Sequence, residues 1–308
     1  MGKIAFIFPG QGSQYIGMGK DFYEKEPVSK AVFDKASEVT GLDIPALCFE
    51  ENDKLNITEY TQIAMLADEI ALCRALEVRG IYPDVTAGLS LGEYGAITAA
   101  GIISEEDAFR IIRKRGIYMQ EAVPTGGAMS AVLGIGNDVI EKICEETEGT
   151  VSIANYNCPG QTVITGEAAA VEKAGEALKE AGAKRVVPLK VSGPFHSSML
   201  IPAGEKLEKV LEGIELKDFT VPYVSNLMAD YVTSTKEIKF LLKMQISSPV
   251  KWQQSVEKMI TEGVDTFVEI GPGKTLSSFV KKINKEVKVF NVDKYEDLEK
   301  CVEGLANA

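Results

Sequence analysis

The chain has 308 residues, of which 45% are hydrophobic and 25% charged, a balance typical of a packed globular protein. Lysine and arginine number 33 against 45 aspartate and glutamate residues, so the net charge is −12. This acidic balance argues against a partner such as duplex nucleic acid, which requires a basic face. No apolar run approaches the roughly 20 residues of a membrane span, and residues 4–8 form too short a run for a signal-peptide core. We therefore expect neither nucleic acid nor a membrane as a partner.

The first 127 residues predict alternating strands and helices. The continuous apolar run at residues 4–8 predicts a strand that is buried on both faces. A second strand is predicted at 85–89. Apolar residues at helical spacing predict four helices, which cover residues 29–39, 62–78, 93–100 and 105–122.

The segment 128–192 has a different order of elements. Its pattern predicts, in order, a strand at 129–133, a helix at 138–146, strands at 151–155 and 162–165, a helix at 168–181 and a strand at 185–191. This is the order of a ferredoxin-like unit. Strands typical of a parallel sheet return afterwards at 221–224, 264–270 and 287–292. We therefore predict an α/β protein in two parts. A large domain consists of residues 1–127 and 193–308, and a small ferredoxin-like domain, 128–192, is inserted into it.

Gly88, Ser90 and Gly92 form a G-x-S-x-G motif between a predicted strand and a predicted helix. In a nucleophile elbow of the hydrolase-like α/β fold, this spacing lifts the serine hydroxyl above the sheet at a helix N-terminus. The backbone N–H of Leu91 then becomes one oxyanion donor. A serine in an ordinary glycine-rich turn is the alternative interpretation.

Two further positions complete a predicted acyl-transfer site. Gln11 lies between two glycines directly after the first strand, so its backbone N–H is a candidate for the second oxyanion donor. His196 is the single histidine of the chain and lies where the inserted segment returns to the large domain. Because a serine hydroxyl is a poor nucleophile without a base, His196 is the predicted base. A purely structural histidine is the alternative.

The cysteine and histidine counts limit the remaining chemistry. The five cysteines are odd in number, are scattered, and form no C-x-x-C pair, which predicts reduced thiols and a cytoplasmic protein. A zinc site needs clustered cysteine and histidine ligands. The sequence therefore predicts no zinc site, and the predicted acyl transfer at Ser90 and His196 requires no metal and no bound redox cofactor.

Seven short motifs occur in order along nearly the whole chain: FPGQGSQ at 8–14, GLSLGEY at 88–94, RGIYMQ at 115–120, NYNCPGQ at 155–161, GPFH at 193–196, PVKW at 249–252 and EIGPGK at 269–274. With these motifs the chain resembles the malonyl-CoA:acyl carrier protein transacylases of bacterial type II fatty acid synthesis. The resemblance implies transfer of a malonyl group from malonyl-CoA to the phosphopantetheine thiol of acyl carrier protein through a malonyl-serine intermediate.

The resemblance also implies roles for individual residues. Ser90 matches the nucleophile of the family and His196 its base. Gln11 and Leu91 match the backbone oxyanion donors, and Arg115 matches the arginine that pairs with the malonyl carboxylate. The family uses a serine–histidine dyad without a third acid.

Further positions follow from the same resemblance. Gln245 matches a glutamine whose main-chain carbonyl orients the histidine, and Phe195 matches a pattern associated with malonyl selectivity. Asn155 and Asn157 are predicted to line the cleft. The family usually has histidine before the nucleophile, whereas this chain has Leu89, which removes a polar neighbour and makes the predicted pocket wall more apolar.

Three alternatives stay open at the level of the sequence: an acyltransferase that serves a polyketide pathway, a serine esterase or thioesterase, and a non-catalytic module that binds carrier protein. Carrier proteins are acidic, so an acidic enzyme needs a local basic surface to attract one. Candidate basic residues are Lys274, Lys281, Lys282, Lys285 and Lys288, together with Arg113, Lys184 and Arg185.

Overall fold

The computed structural model describes residues 2–191 and 193–306, which form two sheets. The larger sheet has five strands, and every pairing within it is parallel. Its strands are ordered β7 (Tyr223–Val224), β2 (Val85–Gly88), β1 (Lys3–Phe8), β8 (Val264–Ile270) and β9 (Lys288–Val292). The chain thus uses segments from both of its halves to build one parallel sheet.

Helices cover this sheet because its central strand is apolar on both faces. On β1, Phe6 and Phe8 belong to one buried cluster and Ala5 and Ile7 to another, and all four side chains are fully buried. Alternate residues of a strand point to opposite faces, so an uninterrupted apolar run serves both. The helices before the second sheet are α1 (Lys20–Lys25), α2 (Pro27–Thr40), α3 (Ile44–Phe49), α4 (Thr58–Val78), α5 (Gly92–Ala99) and α6 (Glu105–Ala122).

The smaller sheet is antiparallel and lies between α6 and the later part of the chain. Its order is β4 (Val151–Cys158), β5 (Gln161–Glu167), β3 (Gly127–Leu133) and β6 (Arg185–Pro188), with helices α7 (Asn137–Glu146) and α8 (Ala168–Glu180). The order of elements along the chain is the predicted strand, helix, strand, strand, helix and strand. The exact domain boundaries stay a prediction. Met1, Ser192 and residues 307–308, at their edges, lie outside the described residues.

The remaining elements return to the larger sheet. A short 3₁₀ turn (Ser198–Leu200) leads into helices α9 (Ile201–Glu212), α10 (Thr235–Gln245), α11 (Trp252–Thr261), α12 (Thr275–Ile283) and α13 (Tyr295–Ala306). No helix within residues 2–191 and 193–306 is both long and apolar enough to cross a bilayer.

A main-chain bridge joins the smaller sheet to the segment between α10 and α11. The Val250 N–H donates to the Ala154 carbonyl at 2.8 Å, and the Tyr156 N–H donates to the Val250 carbonyl at 2.9 Å. A side-chain bond adds to it, from Lys282 Nζ to Gln161 Oε1 at 3.1 Å. Strand β4 of the smaller sheet is therefore fixed to the segment that follows α10.

Several predicted element bounds were wrong by a few residues. The strand predicted over 185–191 ends at Pro188, which has no N–H to donate to the ladder. The strand predicted over 221–224 begins only at Tyr223. In contrast, the strand predicted over 151–155 continues to Cys158, with irregular register where β4 turns toward Val250.

Candidate active site

The G-x-S-x-G motif forms a tight turn between β2 and α5. A Cβ atom at Gly88 would lie 2.0 Å from the carbonyl group of Gly92, and one at Gly92 would lie 2.1 Å from the Phe8 oxygen. Larger residues at either position would push the turn apart. Ser90, at the turn's apex, has a φ of 56°, in the left-handed region that non-glycine residues seldom occupy. This elbow is strained, a feature that concentrates at functional sites.

His196 lies beside Ser90, although 106 residues separate them in the sequence. The Ser90 Oγ and the His196 Nε2 are 2.7 Å apart. The other ring nitrogen, Nδ1, is 2.9 Å from the Gln245 carbonyl oxygen and 3.1 Å from that of Ser248. Because carbonyl oxygens only accept, Nδ1 carries a proton and Nε2 is free to accept the Ser90 proton. Burial, with a smaller contribution from the charge of Arg115, lowers the pKa of His196 to about 4.

Arg115 reaches the same hydroxyl from α6 and is fully buried. Its Nη2 donates to Ser90 Oγ at 3.0 Å and to Gln245 Oε1 at 2.9 Å, while Nη1 donates to Gln62 Oε1 at 2.8 Å. Burial lowers the pKa of its guanidinium. None of these partners is a carboxylate, so the cation is held by neutral groups, an arrangement suited to an incoming anion.

A buried acid lies beneath the elbow. Glu93 Oε2 accepts hydrogen bonds from Gln245 Nε2 at 2.7 Å and from the Asn226 backbone N–H at 3.3 Å. Burial raises the pKa of Glu93 to about 7, while these two hydrogen bonds act in the opposite direction. Gln245 Nε2 also donates to the Ser90 carbonyl at 2.8 Å. Gln245 therefore contacts Ser90, Arg115 and His196, through its side chain or its main-chain oxygen.

The two predicted oxyanion donors border the same cleft. Gln11 and Leu91 both line the cavity that contains Ser90. Among the described residues, neither backbone N–H donates to a protein acceptor. Gly10 allows the loop after β1 to lie close to the elbow, because a Cβ at this position would lie 2.8 Å from the Leu89 carbonyl oxygen. Both N–H groups are thus available to an oxygen in the cleft.

The cleft encloses about 250 Å³ and lies between the two sheets. Asn155 and Asn157 of β4 line it, as do Phe195 and Leu89. Leu89 also packs against the apolar cluster around Trp252, so it forms part of an apolar wall. The structure thus brings together all nine sequence-predicted site residues: Ser90, His196, Gln11, Leu91, Arg115, Gln245, Asn155, Asn157 and Phe195.

The predicted basic residues near the C-terminal end are grouped around α12, whose first turn borders the cleft: Lys274 directly precedes the helix, Lys281 and Lys282 lie on it, and Lys285 and Lys288 follow it. At least two of them form hydrogen bonds within the protein. Lys281 Nζ donates to the carbonyls of Lys285 and Val287, and Lys282 donates to Gln161. Arg113, on α6, pairs with the carboxylate of Glu59 at 2.9 Å.

Sequence reasoning missed four residues that hold the site together: Gln62, Glu93, Asn226 and Ser248. Glu93 was visible, as an acid directly after an elbow glycine in a buried helix. Gln62 lies on α4 directly before the apolar run 63–67, and a polar residue at the start of that run is a usable signal. Asn226 and Ser248 lie in loops, where nothing in the local pattern distinguishes them.

These features agree with the comparisons with known proteins. A family model described as "Acyl transferase domain" matches residues 5–301, and the chain belongs to this family of acyl transferases. The similar curated relatives are malonyl CoA-acyl carrier protein transacylases. That of Bacillus subtilis is 49% identical over 310 residues and covers 99% of this chain and 98% of its own. That of Staphylococcus aureus is 43% identical over 303 residues, with coverage of 97% and 98%.

Solved structures give the same assignment. The malonyl CoA-acyl carrier protein transacylase of Clostridium perfringens superposes with a TM-score of 0.96 at 46% identity, over 99% of this chain and 98% of that one. PlMCAT, solved in complex with AntF, a holo acyl-carrier protein of a type II PKS, superposes with a TM-score of 0.95 at 42% identity, over 98% and 99%. The predicted two-part α/β fold is confirmed.

Proposed function

We propose that this protein transfers a malonyl group from malonyl-CoA to the phosphopantetheine thiol of acyl carrier protein. The observation that carries the proposal is the position of Ser90 Oγ, which lies 2.7 Å from His196 Nε2 and 3.0 Å from Arg115 Nη2. A nucleophile, its base and a buried cation for a carboxylate therefore meet at one point. The names of the relatives at 49% and 46% identity support the same reaction.

In the first half-reaction, Ser90 Oγ attacks the thioester carbonyl carbon of malonyl-CoA, and its proton passes to His196 Nε2. The negative charge that forms on the carbonyl oxygen is stabilised by the N–H groups of Gln11 and Leu91. Arg115 pairs with the free carboxylate of the malonyl group. The carbon–sulfur bond then breaks, and the CoA sulfur leaves with the proton from His196.

The second half-reaction reverses these steps with a different thiol. His196 Nε2 takes the proton of the phosphopantetheine thiol, whose sulfur attacks the malonyl-serine ester. The ester bond breaks, and His196 returns the proton to Ser90 Oγ. The two carbonyl oxygens on Nδ1 stabilise the imidazolium that exists between the transfers.

We assign this reaction to fatty acid synthesis in the cytoplasm, where reduced thiols such as the five unpaired, buried cysteines are expected. The carrier protein approaches through the basic residues around α12, whose first turn borders the cleft. Service to a polyketide pathway is the second candidate, because PlMCAT was solved with a type II PKS carrier. Rates with the two kinds of carrier protein, measured side by side, separate these assignments.

The decisive experiment is the intact-protein mass after brief incubation with malonyl-CoA, beside acetyl-CoA and a Ser90→Ala control. We expect a malonyl-sized adduct that is absent from Ser90→Ala and weak with acetyl-CoA. Release of free malonate without an adduct would indicate a serine hydrolase instead. Neither adduct nor turnover would indicate a binding module without catalysis.

A further inference from the structure

Asn226 binds two backbone groups of the elbow, one at the nucleophile and one two residues before it. It follows β7, is 1% exposed, and is absent from the cleft-lining residues within the described part of the chain. Its Oδ1 accepts from the Ser90 N–H at 2.6 Å, and its Nδ2 donates to the Gly88 carbonyl at 2.5 Å. One carboxamide therefore spans the turn from the end of β2 to the nucleophile.

The turn needs such a support because of its conformation. At a φ of 56°, Ser90 occupies a region that a serine leaves readily unless surrounding groups hold it there. This φ is the rotation about the N–Cα bond of Ser90. The hydrogen bond to Asn226 fixes the direction of the Ser90 N–H and so restrains that rotation. A relaxation of the backbone would move Ser90 Oγ away from His196 Nε2.

Asn226 is itself fixed from two directions. Its backbone N–H donates to Glu93 Oε2, and its carbonyl accepts from the Lys251 N–H at 3.0 Å. Glu93 Oε2 also accepts from the side chain of Gln245, whose main-chain oxygen accepts a hydrogen bond from His196 Nδ1. One buried carboxyl group, that of Glu93, therefore holds both the residue that binds the nucleophile and the residue that binds its base.

We infer that Asn226 is a positioning residue that keeps Ser90 in its left-handed conformation and aligned with His196. This inference rests on the proposed function. Asn226 contacts neither the carboxylate-binding guanidinium nor the cleft, so it acts on the rate of serine acylation and not on recognition of the malonyl group. An error of about 1 Å in the position of a reacting group costs on the order of 100-fold in rate.

The first test is Asn226→Ala, assayed by single-turnover acylation with malonyl-CoA. We expect a loss of about 100-fold in the acylation rate, with the KM for malonyl-CoA and the preference for malonyl over acetyl retained. Wild-type protein that forms no adduct would refute the proposed function. Wild-type protein that forms the adduct, with Asn226→Ala acylating within threefold of it, would refute this inference alone.

Asn52→Ala is the matched control for a purely structural role. The Asn52 carboxamide also clamps a turn, since Nδ2 donates to the carbonyls of Leu47 and Glu50 and Oδ1 accepts from the N–H groups of Lys54 and Leu55. It does so after α3, away from Ser90. We expect Asn52→Ala to lower the melting temperature and to leave acylation unchanged. Equal losses of rate in both variants would overturn the inference.

Asn226→Asp gives a second test, whose pH dependence a purely structural role would not produce. Because aspartate and asparagine have nearly the same size, we expect this variant to fold. The introduced carboxyl group, when ionised, can still accept from the Ser90 N–H but repels the Gly88 carbonyl, whereas the protonated group can do both tasks of the amide. Glu93 faces this position, and Arg115 and His196 lie beyond it. We expect the acylation rate of Asn226→Asp relative to wild type to rise as the pH falls. A pH-independent ratio would contradict the clamp.

Discussion

The two sheets differ in what they bury. Around the parallel sheet, acids, a guanidinium and the histidine are withdrawn from solvent, among them Glu93, Arg115 and His196. Within the described residues of the antiparallel part, 127–191, the buried polar side chains are hydroxyls and amides: Ser130, Asn155, Asn157, Thr162 and Thr165. Its core is otherwise aliphatic, around Ile140, Ile164 and Leu178.

This difference divides the work between the two parts. Buried ionisable groups have shifted pKa values and strong mutual interactions, which proton transfer and carboxylate binding require. An apolar core with a few amides supplies shape instead. We therefore assign the chemistry to the parallel-sheet part and one wall of the cleft to the antiparallel part.

The largest expected effect is that of His196→Ala. Without its base, Ser90 is a weak nucleophile, and we expect acylation to fall by roughly 10⁴-fold or more. The rate of adduct formation in a rapid-quench experiment measures this loss. A residual rate within tenfold of wild type would show that another group takes the serine proton.

Arg115→Ala tests whether the buried cation serves the substrate carboxylate. A charge-assisted bidentate contact contributes about 3 kcal/mol, so we expect roughly a 100-fold loss of kcat/KM for malonyl-CoA and much less for acetyl-CoA. Arg113→Ala is the control, because that arginine lies on the same helix but pairs with Glu59. Equal losses for both thioesters would contradict the assignment.

The pH profile tests the desolvation of the dyad. Because the pKa of His196 is about 4, the neutral base persists well below pH 6.5, and kcat/KM should fall only as the pH approaches 4. Glu93→Gln removes the neighbouring group whose pKa is about 7 and so isolates the histidine. An inflection near 6.5 in that variant would mean that the ring is solvated.

The same shift has a consequence for stability. As the pH falls from 6.5 toward 4, the unfolded chain protonates His196 before the folded protein does, so folding stability decreases across that window through this group.

The smallest expected effect concerns the antiparallel part. Tyr156→Phe removes a bond from the phenol to Glu141 Oε1 at 2.7 Å on the surface of that region. We expect a loss of about 1 kcal/mol or less in the free energy of unfolding and an unchanged acylation rate. Urea unfolding and the adduct assay measure the two quantities. A tenfold loss of rate would show that the antiparallel part takes a direct role in the chemistry.

Local patterns were sufficient for much of the fold. The predicted helix Glu105–Ala122 and strand Val264–Ile270 have the bounds found in the structure, because each combines a clear period with a stop signal. The elbow was predictable because the clashes that its glycines avoid include one between residues only four positions apart, Gly88 and Gly92, so that requirement shows in a short motif. Helices α9 to α13 were missed although α12, for example, carries apolar residues at helical spacing, Leu276, Phe279 and Val280.

The supports of the site were not predictable in the same way. Asn226 lies 136 residues from the serine it holds. Its side chain binds backbone groups, which nearly every residue has, so the sequence does not show which ones it binds. Gln62 and Ser248 likewise acquire their roles only when α4 and the segment after α10 meet at the cleft. Nucleophile and base are typical of a motif, whereas the groups that orient them depend on tertiary packing.

The bridge between Val250 and strand β4 has a consequence for engineering. Its two hydrogen bonds use main-chain atoms of Ala154, Tyr156 and Val250, so they do not depend on which side chains occupy these positions. A smaller sheet grafted from a distant homologue could therefore re-form the joint if its backbone reaches the same place. Chimeras that exchange this whole region are a practical way to vary the cleft wall while keeping the serine and the histidine in their native surroundings.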